Sequence, residues 1–317
     1  MSTPRDAFIN ALERRPPTGR VPHFELVFFL TMEAFGRVHP THRAYGQWDQ
    51  MTEAERRLHR RDIAETYILS AERFEHSAIL VHTPVPALAE QAELINEIRR
   101  QSGDRYFLML HGDPTYAMPD GESMQEFSYR MADDLEGLQT DAQKRVDRAL
   151  DRARFLREQT DLDGFALCSD YCFNTGPFLS PDTFAVLVAP YLKQVIAAYR
   201  SLGFRSVKHT DGNIMPIIDQ LIDARPDALH SLDPQGGVDI KAVKQRYGRD
   251  VCLIGNVNCG LMDSGTDDQV IDSARYALAN GMPGGGYVFS TSNCIYTGMR
   301  LERYELILDL WRAEGTP

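Results

Sequence analysis

The chain has 317 residues, 43% of them hydrophobic and 25% charged, with a formal net charge of −11 from 34 basic and 45 acidic side chains. These proportions are ordinary for a globular protein with a sizeable core, and the excess of negative charge argues against nucleic acid or an anionic membrane as a partner. No apolar run approaches the roughly 18 residues of a membrane-spanning helix, and the charged N-terminus lacks the pattern of a signal peptide, which favours a cytoplasmic protein. The five cysteines are odd in number and dispersed, as expected of free thiols in a reducing compartment.

The first half of the chain predicts helices and strands in irregular alternation. Residues 3–14 are predicted to form a short helix, because Thr3 can cap it and Pro4 suits the first helical position. Strands are predicted at residues 21–30, 77–81 and 106–110, and helices at residues 55–73 and 87–101. Residues 31–76 and 112–135 are interpreted as insertions that cap the functional end of the fold.

The second half alternates regularly between helices and strands. Helices are predicted at residues 134–158, 181–202, 214–223, 238–247, 267–280 and 300–313. Strands between them are predicted at residues 164–168, 204–208, 228–229, 251–254 and 287–289. Eight strands in alternation with helices imply a parallel sheet, and eight such units favour a closed barrel over an open sheet. The sequence therefore predicts an α/β fold, a single (β/α)8 TIM barrel over residues 1–317 with an N-terminal helical extension and capping insertions.

Polar side chains follow nearly every predicted strand, at the point where the strand ends. Because the carboxyl ends of the strands meet at one mouth of a barrel, these side chains are expected to converge there although they are far apart in sequence. The candidates, in chain order, are Glu25, His82, His111, Asp170, His209, Asp211, His230, Asp233, Asn256, Ser290, Asn293 and Cys294.

Three of these residues, Glu25, His209 and Cys294, are predicted to bind a metal ion. Imidazole, carboxylate and thiolate groups all suit zinc. Glu25 lies in an apolar run, where a carboxylate is costly unless it binds a metal, a cation or a hydrogen-bond donor. Residues i and i+2 of a strand share a face, so Asp211 could chelate the same ion as His209. The alternatives are that Asp211 caps the following helix while His209 packs beneath the mouth, and that Cys294 is a buried thiol that only packs.

Asp170 and Asp211 are predicted as the catalytic carboxylates. Asp170 directly follows a core strand, where a carboxylate can act as a base or accept a hydrogen bond from substrate. A pairing of Asp170 with a neighbouring Lys or Arg is the alternative. The side chains predicted to bind substrate are His82, His111, His230, Asn256 and Asn293. For the three histidines among them, a hydrogen bond to a loop carbonyl is the competing interpretation.

Several stretches of the sequence resemble the uroporphyrinogen decarboxylase superfamily, and its methyltransferase-like members more closely than the decarboxylase itself. The resemblance covers most of residues 1–310 and is strongest from 163 to 295. The stretches are Arg20-Val21-Pro22, Leu179-Ser180-Pro181, Lys208-His209-Thr210-Asp211-Gly212-Asn213, Leu232-Asp233-Pro234, Leu253-Ile254-Gly255-Asn256 and Gly284-Gly285-Gly286-Tyr287. The resemblance implies a (β/α)8 barrel, in agreement with the count of strands.

The resemblance also separates two chemistries. The true decarboxylases carry an arginine-rich N-terminal segment that grips the porphyrinogen carboxylates, whereas residues 22–29 of this chain contain Glu25 and no arginine. Tetrapyrrole decarboxylation is therefore rejected. The cobamide-dependent methyltransferases bind zinc through a His-x-Cys pair and a later Cys. His209 and Cys294 match the outer two ligands, while Asp211 replaces the middle Cys, a change that suits a harder Lewis acid that polarises oxygen.

By similarity, the expected function is that of a zinc-dependent methyltransferase of the demethylase type. It would move a methyl group from a small methylated compound, such as a methyl ether, to cobalamin carried by a separate corrinoid protein. One alternative is a metal-independent decarboxylase or lyase of the same barrel, and another is a non-catalytic protein that binds a small molecule or a corrinoid. A homodimer is compatible with these properties, and neither nucleic acid nor a membrane is an expected partner.

Overall fold

The computed structural model describes residues 3–317, which form a parallel sheet curled around an apolar interior. Seven strands lie side by side in chain order, and neighbouring strands are parallel. These strands are β1 Ala78–Val81, β2 Phe107–His111, β3 Gly164–Leu167, β6 Arg205–His209, β7 Ala228–His230, β8 Cys252–Ile254 and β9 Tyr287–Val288. The hairpin of β4 Cys172–Phe173 and β5 Gly176–Pro177 is separate and antiparallel. The barrel strands are mostly apolar and buried, as in parallel sheets that helices cover.

His23 closes the sheet into a barrel between β1 and β9. It makes parallel bridges with His76, just before β1, and with Phe289, just after β9. The Ser77 N–H donates to the His23 carbonyl at 2.7 Å, and the Phe24 N–H donates to the Phe289 carbonyl at 3.1 Å. The expected (β/α)8 architecture is confirmed, with isolated bridges at the first strand position.

The predicted strand at residues 21–30 is therefore wrong as a regular element. The segment bends at residue 26 and pairs again only at Phe28, with Ile295. Because the two bridging positions face different neighbours, no run of consecutive residues stays in register with one strand.

The helices surround the barrel and follow the predicted pattern closely. Those of the first half are α1 Pro4–Leu12, α2 Thr31–Phe35, α3 Glu53–Arg73, α4 Leu88–Ser102, α5 Gly121–Asp133 and α6 Leu135–Gln159. Those of the second half are α7 Pro181–Leu187, α8 Ala189–Ser201, α9 Ile218–Asp223, α10 Ile240–Tyr247, α11 Cys259–Ser264, α12 Asp267–Gly281 and α13 Leu301–Glu314. Three short 3-10 helices, Pro40–His42, Trp48–Gln50 and Pro234–Gly236, lie in loops of the described residues. No helix within residues 3–317 is long and apolar enough to cross a membrane.

Two predicted helices differ from the structure for local reasons. The helix at residues 181–202 divides at Val188, because Pro190 lacks an N–H and is accommodated only in the first turn of a new helix. The helix at residues 214–223 begins at Ile218, after a turn that follows β6.

The N-terminal helix α1 closes the base of the barrel. Thr3 caps it as predicted, since its side chain accepts a hydrogen bond from the Asp6 N–H at 3.1 Å. The buried Phe8 ring lies 5.0 Å from the Phe107 ring and 5.8 Å from the Phe24 ring, within the cluster that fills the barrel. The opposite end, where the strands exit, is left to carry the functional groups.

Candidate metal centre

The turn after β6 brings His209 and Asp211 to the mouth of the barrel. The chain reverses at Gly212, which has a φ of +77° and whose added Cβ would lie 2.5 Å from the Cys172 carbonyl oxygen. Glycine permits this turn beneath the β4–β5 hairpin because no side chain fits there. The Asp233 carboxylate accepts a hydrogen bond from the Gly212 N–H at 3.1 Å and so fixes the turn from the next strand exit.

Asp170, His209 and Asp211 form the one cluster of three or more potential metal-binding His, Cys, Asp or Glu side chains within residues 3–317. One ligand atom from each lies within 4.8 Å of the other two. The His209 Nε2 atom is 3.8 Å from an Oδ1 atom of each carboxylate. β3 and β6 are neighbours in the barrel, so the exits that carry these groups are adjacent. β6 ends at His209, so Asp211 lies beyond the strand, and its Oδ1 atom nevertheless comes within 3.8 Å of the Nε2 atom of His209.

His209 is buried, and its second ring nitrogen is engaged by another histidine. Its Nδ1 atom lies 2.8 Å from Nδ1 of His230, the residue opposite it on β7. Burial lowers the pKa of His209 to about 3, and the charges of Lys208 and His111 act in the same direction. The imidazole is therefore neutral at physiological pH, which is the form that binds metal ions.

Asp211 is held by hydrogen bonds at both carboxylate oxygens. Ser231 donates to Oδ1 at 2.7 Å, and the Asn293 side-chain amide donates to Oδ2. Burial raises the pKa of Asp211 to about 7, which the Ser231 hydrogen bond opposes and the charges of Asp170 and Asp233 reinforce. The interpretation of Asp211 as a helix cap is wrong, because its carboxylate binds these side chains across the mouth.

Asp170 is placed by the backbone and not by a basic partner. Its Oδ1 atom accepts a hydrogen bond from the Asp211 N–H at 2.9 Å, and no Lys or Arg nitrogen lies within 4 Å of it in the described part of the chain. The preceding Ser169 carbonyl accepts a hydrogen bond from the buried ammonium of Lys208 at 2.9 Å. The alternative of an ion pair at Asp170 is therefore wrong.

The donor set fits a divalent cation. Nitrogen and oxygen ligands lie about 2.0–2.2 Å from zinc, so two ligands of one ion are roughly 3–4 Å apart. The 3.8 Å separations at His209 fall in that range. A neutral imidazole beside two carboxylates that lack a basic partner is an arrangement that a bound cation would stabilise. Asp170, His209 and Asp211 are therefore the residues that would hold a metal ion.

Glu25 and Cys294, the other predicted ligands, lie outside this three-residue cluster. The Glu25 carboxylate accepts hydrogen bonds from Thr291 Oγ1 at 2.5 Å, Thr291 N at 3.2 Å and Ser290 Oγ at 3.4 Å. Cys294 is buried, and burial raises the pKa of its thiol, with the charges of Glu25 and Asp211 acting in the same direction. Their participation in a metal shell stays a prediction.

The residues predicted to bind substrate follow different strands and have different hydrogen-bond partners. His82 and His111 pair with each other, with Nδ1 of His82 3.0 Å from Nε2 of His111. Asn256 donates to the Leu232 carbonyl at 2.8 Å, which ties the exits of β7 and β8 together. His230 is fully buried behind His209. Direct contact of these side chains with a substrate remains a prediction.

An open cleft adjoins Asp211 at the mouth. It is lined by Asn174, Asp211, Asp233, Gln235, Cys259, Gly260, Asp263, Ser292, Asn293, Tyr296 and Met299. The lining contains three carboxylates and, among the described residues, no Lys or Arg. A substrate that reaches the cluster through this cleft meets amide, hydroxyl and carboxylate groups.

Sequence reasoning missed Ser231 and Thr291, which hold Asp211 and Glu25. Ser231 directly follows β7 and Thr291 lies three residues beyond β9, so their positions near strand ends were the available signal. A lone hydroxyl group in a loop is too common to single out, and its partner is unknown before the strands are placed. Asn293, which is predicted to bind substrate, donates a hydrogen bond from its side-chain amide to Asp211. Its contact with substrate remains a prediction.

The comparisons with known proteins agree with this architecture. The family model for uroporphyrinogen decarboxylase (URO-D) matches residues 140–313, more than half of the chain. No curated protein matches the chain in sequence.

Three solved structures share its fold. A methyltransferase from Methanosarcina mazei has a TM-score of 0.77 and 16% sequence identity, with 99% of each chain covered. A GH5_18 protein from Bifidobacterium longum subsp. infantis has a TM-score of 0.54 at 9% identity, covering 94% of this chain and 79% of that one. A beta-mannanase from the blue mussel Mytilus edulis has a TM-score of 0.50 at 9% identity, covering 92% of each chain. The family match, carried by the half of the chain that includes His209 and Asp211, shows that this protein belongs to the uroporphyrinogen decarboxylase family.

Proposed function

We propose that this protein is a zinc-dependent methyltransferase of the demethylase type. It transfers a methyl group from a small methylated compound to cobalamin carried by a separate corrinoid protein. The observation that carries the proposal is the cluster of Asp170, His209 and Asp211 at the mouth of the barrel. Membership of the family and the barrel shared with the Methanosarcina mazei methyltransferase support an enzyme of this type.

The proposed substrate is a methyl ether. Zinc held by one imidazole and two carboxylates would supply a hard Lewis acid that favours an oxygen atom. In the overall reaction, cobalt(I) of the corrinoid provides the electron pair for the new cobalt–carbon bond. The methyl–oxygen bond breaks, its electron pair stays on the oxygen, and the oxygen takes up a proton from solvent.

The chain's own residues orient the reacting groups. Ser231 and Asn293 fix both oxygens of Asp211, so that this carboxylate does not rotate away from His209. Asn174 and Tyr296 line the adjoining cleft and offer hydrogen-bonding groups to the polar part of a methylated compound.

The character of the cleft favours this proposal over a decarboxylase or lyase. A decarboxylase must bind a carboxylate, as must a lyase that acts on an anionic substrate, and basic side chains are the usual partners of such groups. Asp211, Asp233 and Asp263 line the cleft and would repel a carboxylate.

The test combines metal analysis with a methyl-transfer assay. Purified protein is expected to contain stoichiometric zinc and to methylate reduced cobalamin from a panel of methoxylated aromatics, with methylamines and methyl thiols for comparison. The variant His209→Ala should lose both the zinc and the activity, while the control His59→Ala, on α3, should keep both. Zinc-free protein that is fully active would refute the proposal, and so would zinc-loaded protein that transfers methyl groups from none of these donors.

A further inference from the structure

The two ring nitrogens of His209 have different surroundings. Nε2 faces Asp170 and Asp211 at 3.8 Å, a distance too long for a hydrogen bond to either carboxylate. Nδ1 lies 2.8 Å from Nδ1 of His230, which is a close hydrogen bond. Both imidazoles are buried, with 4% of His209 and none of His230 exposed.

The hydrogen bond between the two histidines needs one donor and one acceptor. If His230 were the donor, the proton of His209 would sit on Nε2, which has no protein acceptor among the described residues within hydrogen-bond distance, since both carboxylates lie at 3.8 Å. If His209 is the donor, its Nε2 atom keeps a lone pair that points towards the two carboxylates. In the second arrangement the only N–H of the His209 ring has a protein acceptor, Nδ1 of His230.

A chain of further hydrogen bonds favours the same direction. Nε2 of His230 is 3.4 Å from Ser290 Oγ, and Ser290 Oγ is 3.4 Å from Oε2 of Glu25. An ionised carboxylate only accepts hydrogen bonds, and Glu25 already receives them from Thr291. With Glu25 as the final acceptor, Ser290 and then His230 each donate towards it, which leaves Nδ1 of His230 free to accept from His209.

We propose that His230 is a positioning residue, which accepts a hydrogen bond from the Nδ1–H of His209 and holds the Nε2 lone pair of His209 towards Asp170 and Asp211. Ser290 accepts a hydrogen bond from Nε2 of His230 and donates one to Glu25. The inference rests on the proposed function, because a lone pair held in this direction serves to bind a metal ion. In this arrangement His230 orients His209 and need not contact substrate. Glu25 accepts hydrogen bonds and need not bind the metal ion.

The first test is the position of the proton in the metal-free protein. Nitrogen-15 NMR of the imidazoles distinguishes a protonated ring nitrogen from an unprotonated one, and comparison with His209→Ala identifies the His209 signals. We expect the proton on Nδ1 of His209 and on Nε2 of His230. A proton on Nε2 of His209 would overturn the proposal. This measurement requires no metal, so it separates the proposal from the function that it deepens.

The second test uses two substitutions of His230 that differ in hydrogen bonding. Asn at this position offers its side-chain oxygen near the place of Nδ1, whereas Leu offers no acceptor. In competition with a chromogenic chelator, His230→Leu should bind zinc about 10–100-fold more weakly than wild type, as loss of an outer-shell partner does elsewhere. His230→Asn should stay within a few-fold of wild type. Equal zinc affinity in the Leu variant would overturn the proposal, whereas absence of zinc binding in the wild type would overturn the proposed function instead.

Discussion

The ammonium group of Lys208 lies 2.8 Å from the carboxylate of Asp113, and both side chains are buried. Lys208 precedes His209 on β6, so it points away from the barrel interior and towards the loops. There it also donates to the Leu167 and Ser169 carbonyls at 3.2 and 2.9 Å. One buried cation thus joins the exits of β2 and β3 to β6, beneath the residues that form the candidate metal centre.

Removing the charge of Asp113 is expected to destabilise the fold strongly. Asp113→Asn leaves Lys208 buried without a counter-charge, which costs about 3–5 kcal/mol in comparable pairs. Chemical denaturation measures the loss in the free energy of unfolding. The control Asp268→Asn changes an exposed carboxylate on α12 and should stay within about 0.5 kcal/mol of wild type. A loss below 1 kcal/mol for Asp113→Asn would contradict this reading of the pair.

The same pair predicts how stability depends on pH. Burial by itself would raise the pKa of Asp113, but the charge of Lys208 and hydrogen bonds from Lys208 and Thr115 outweigh it, so the pKa lies below the ordinary value of 3.8. A lowered pKa in the folded state stabilises the protein above pH 3.8, and this stabilisation is lost as the pH falls below that value. The difference in unfolding free energy between wild type and Asp113→Asn should therefore shrink towards low pH. A difference that grows on acidification would contradict a lowered pKa of Asp113 in the folded protein.

The turn at Gly212 predicts a loss of metal binding from a substitution that touches no ligand. Gly212→Ala combines a φ of +77° with a Cβ placed 2.5 Å from a backbone oxygen, so the turn must shift and carry Asp211 with it. Gly237→Ala is a matched control, because Gly237 has a φ of +75° and open space around the added Cβ. Backbone strain should lower the free energy of unfolding by about 1–2 kcal/mol in Gly237→Ala and by more in Gly212→Ala. Zinc binding should weaken only in the Gly212 variant, and equal zinc affinity in the two variants would contradict the prediction.

The contributions of Asp211 and Cys294 to a metal shell can be separated by measuring zinc affinity. Asp211→Ala removes a member of the preformed cluster and should abolish stoichiometric zinc binding. The Cys294 thiol, whose pKa is raised by burial, must lose its proton before it can bind zinc. We therefore expect Cys294→Ala to keep zinc with an affinity reduced about tenfold. Unchanged affinity in Cys294→Ala would exclude Cys294 from the shell.

The acidic lining of the cleft predicts discrimination between charged and neutral donors. A methoxybenzoate should show a higher KM than the matching methoxybenzyl alcohol, because Asp233 and Asp263 repel its carboxylate. Asp263→Lys reverses one exposed charge of the lining and should narrow the ratio of the two KM values. The ratio should also narrow at high salt, where charges are screened. A lower KM for the methoxybenzoate in the wild type would contradict the prediction that the acidic lining repels anionic donors.

Much of the fold could be predicted from the sequence, because the relevant signals are local. Short apolar runs followed by amphipathic stretches predicted all seven barrel strands to within one residue at each end, and most helices to within a few residues. The exception is the segment at residues 21–30, which is as apolar as a strand. Its pairing depends on two neighbours at opposite ends of the sheet, His76 and Phe289, which no local pattern specifies.

The sequence by itself also determined that His209, Asp211 and Asp170 lie at one end of the molecule. The period of two along a strand puts the first two on one face, and parallel strands bring their carboxyl ends to the same mouth. Only the tertiary structure decided which groups touch there. It paired His209 with His230 and Glu25 with Thr291 and Ser290, because such contacts depend on register between strands and on side-chain rotamers, which neighbours distant in sequence impose.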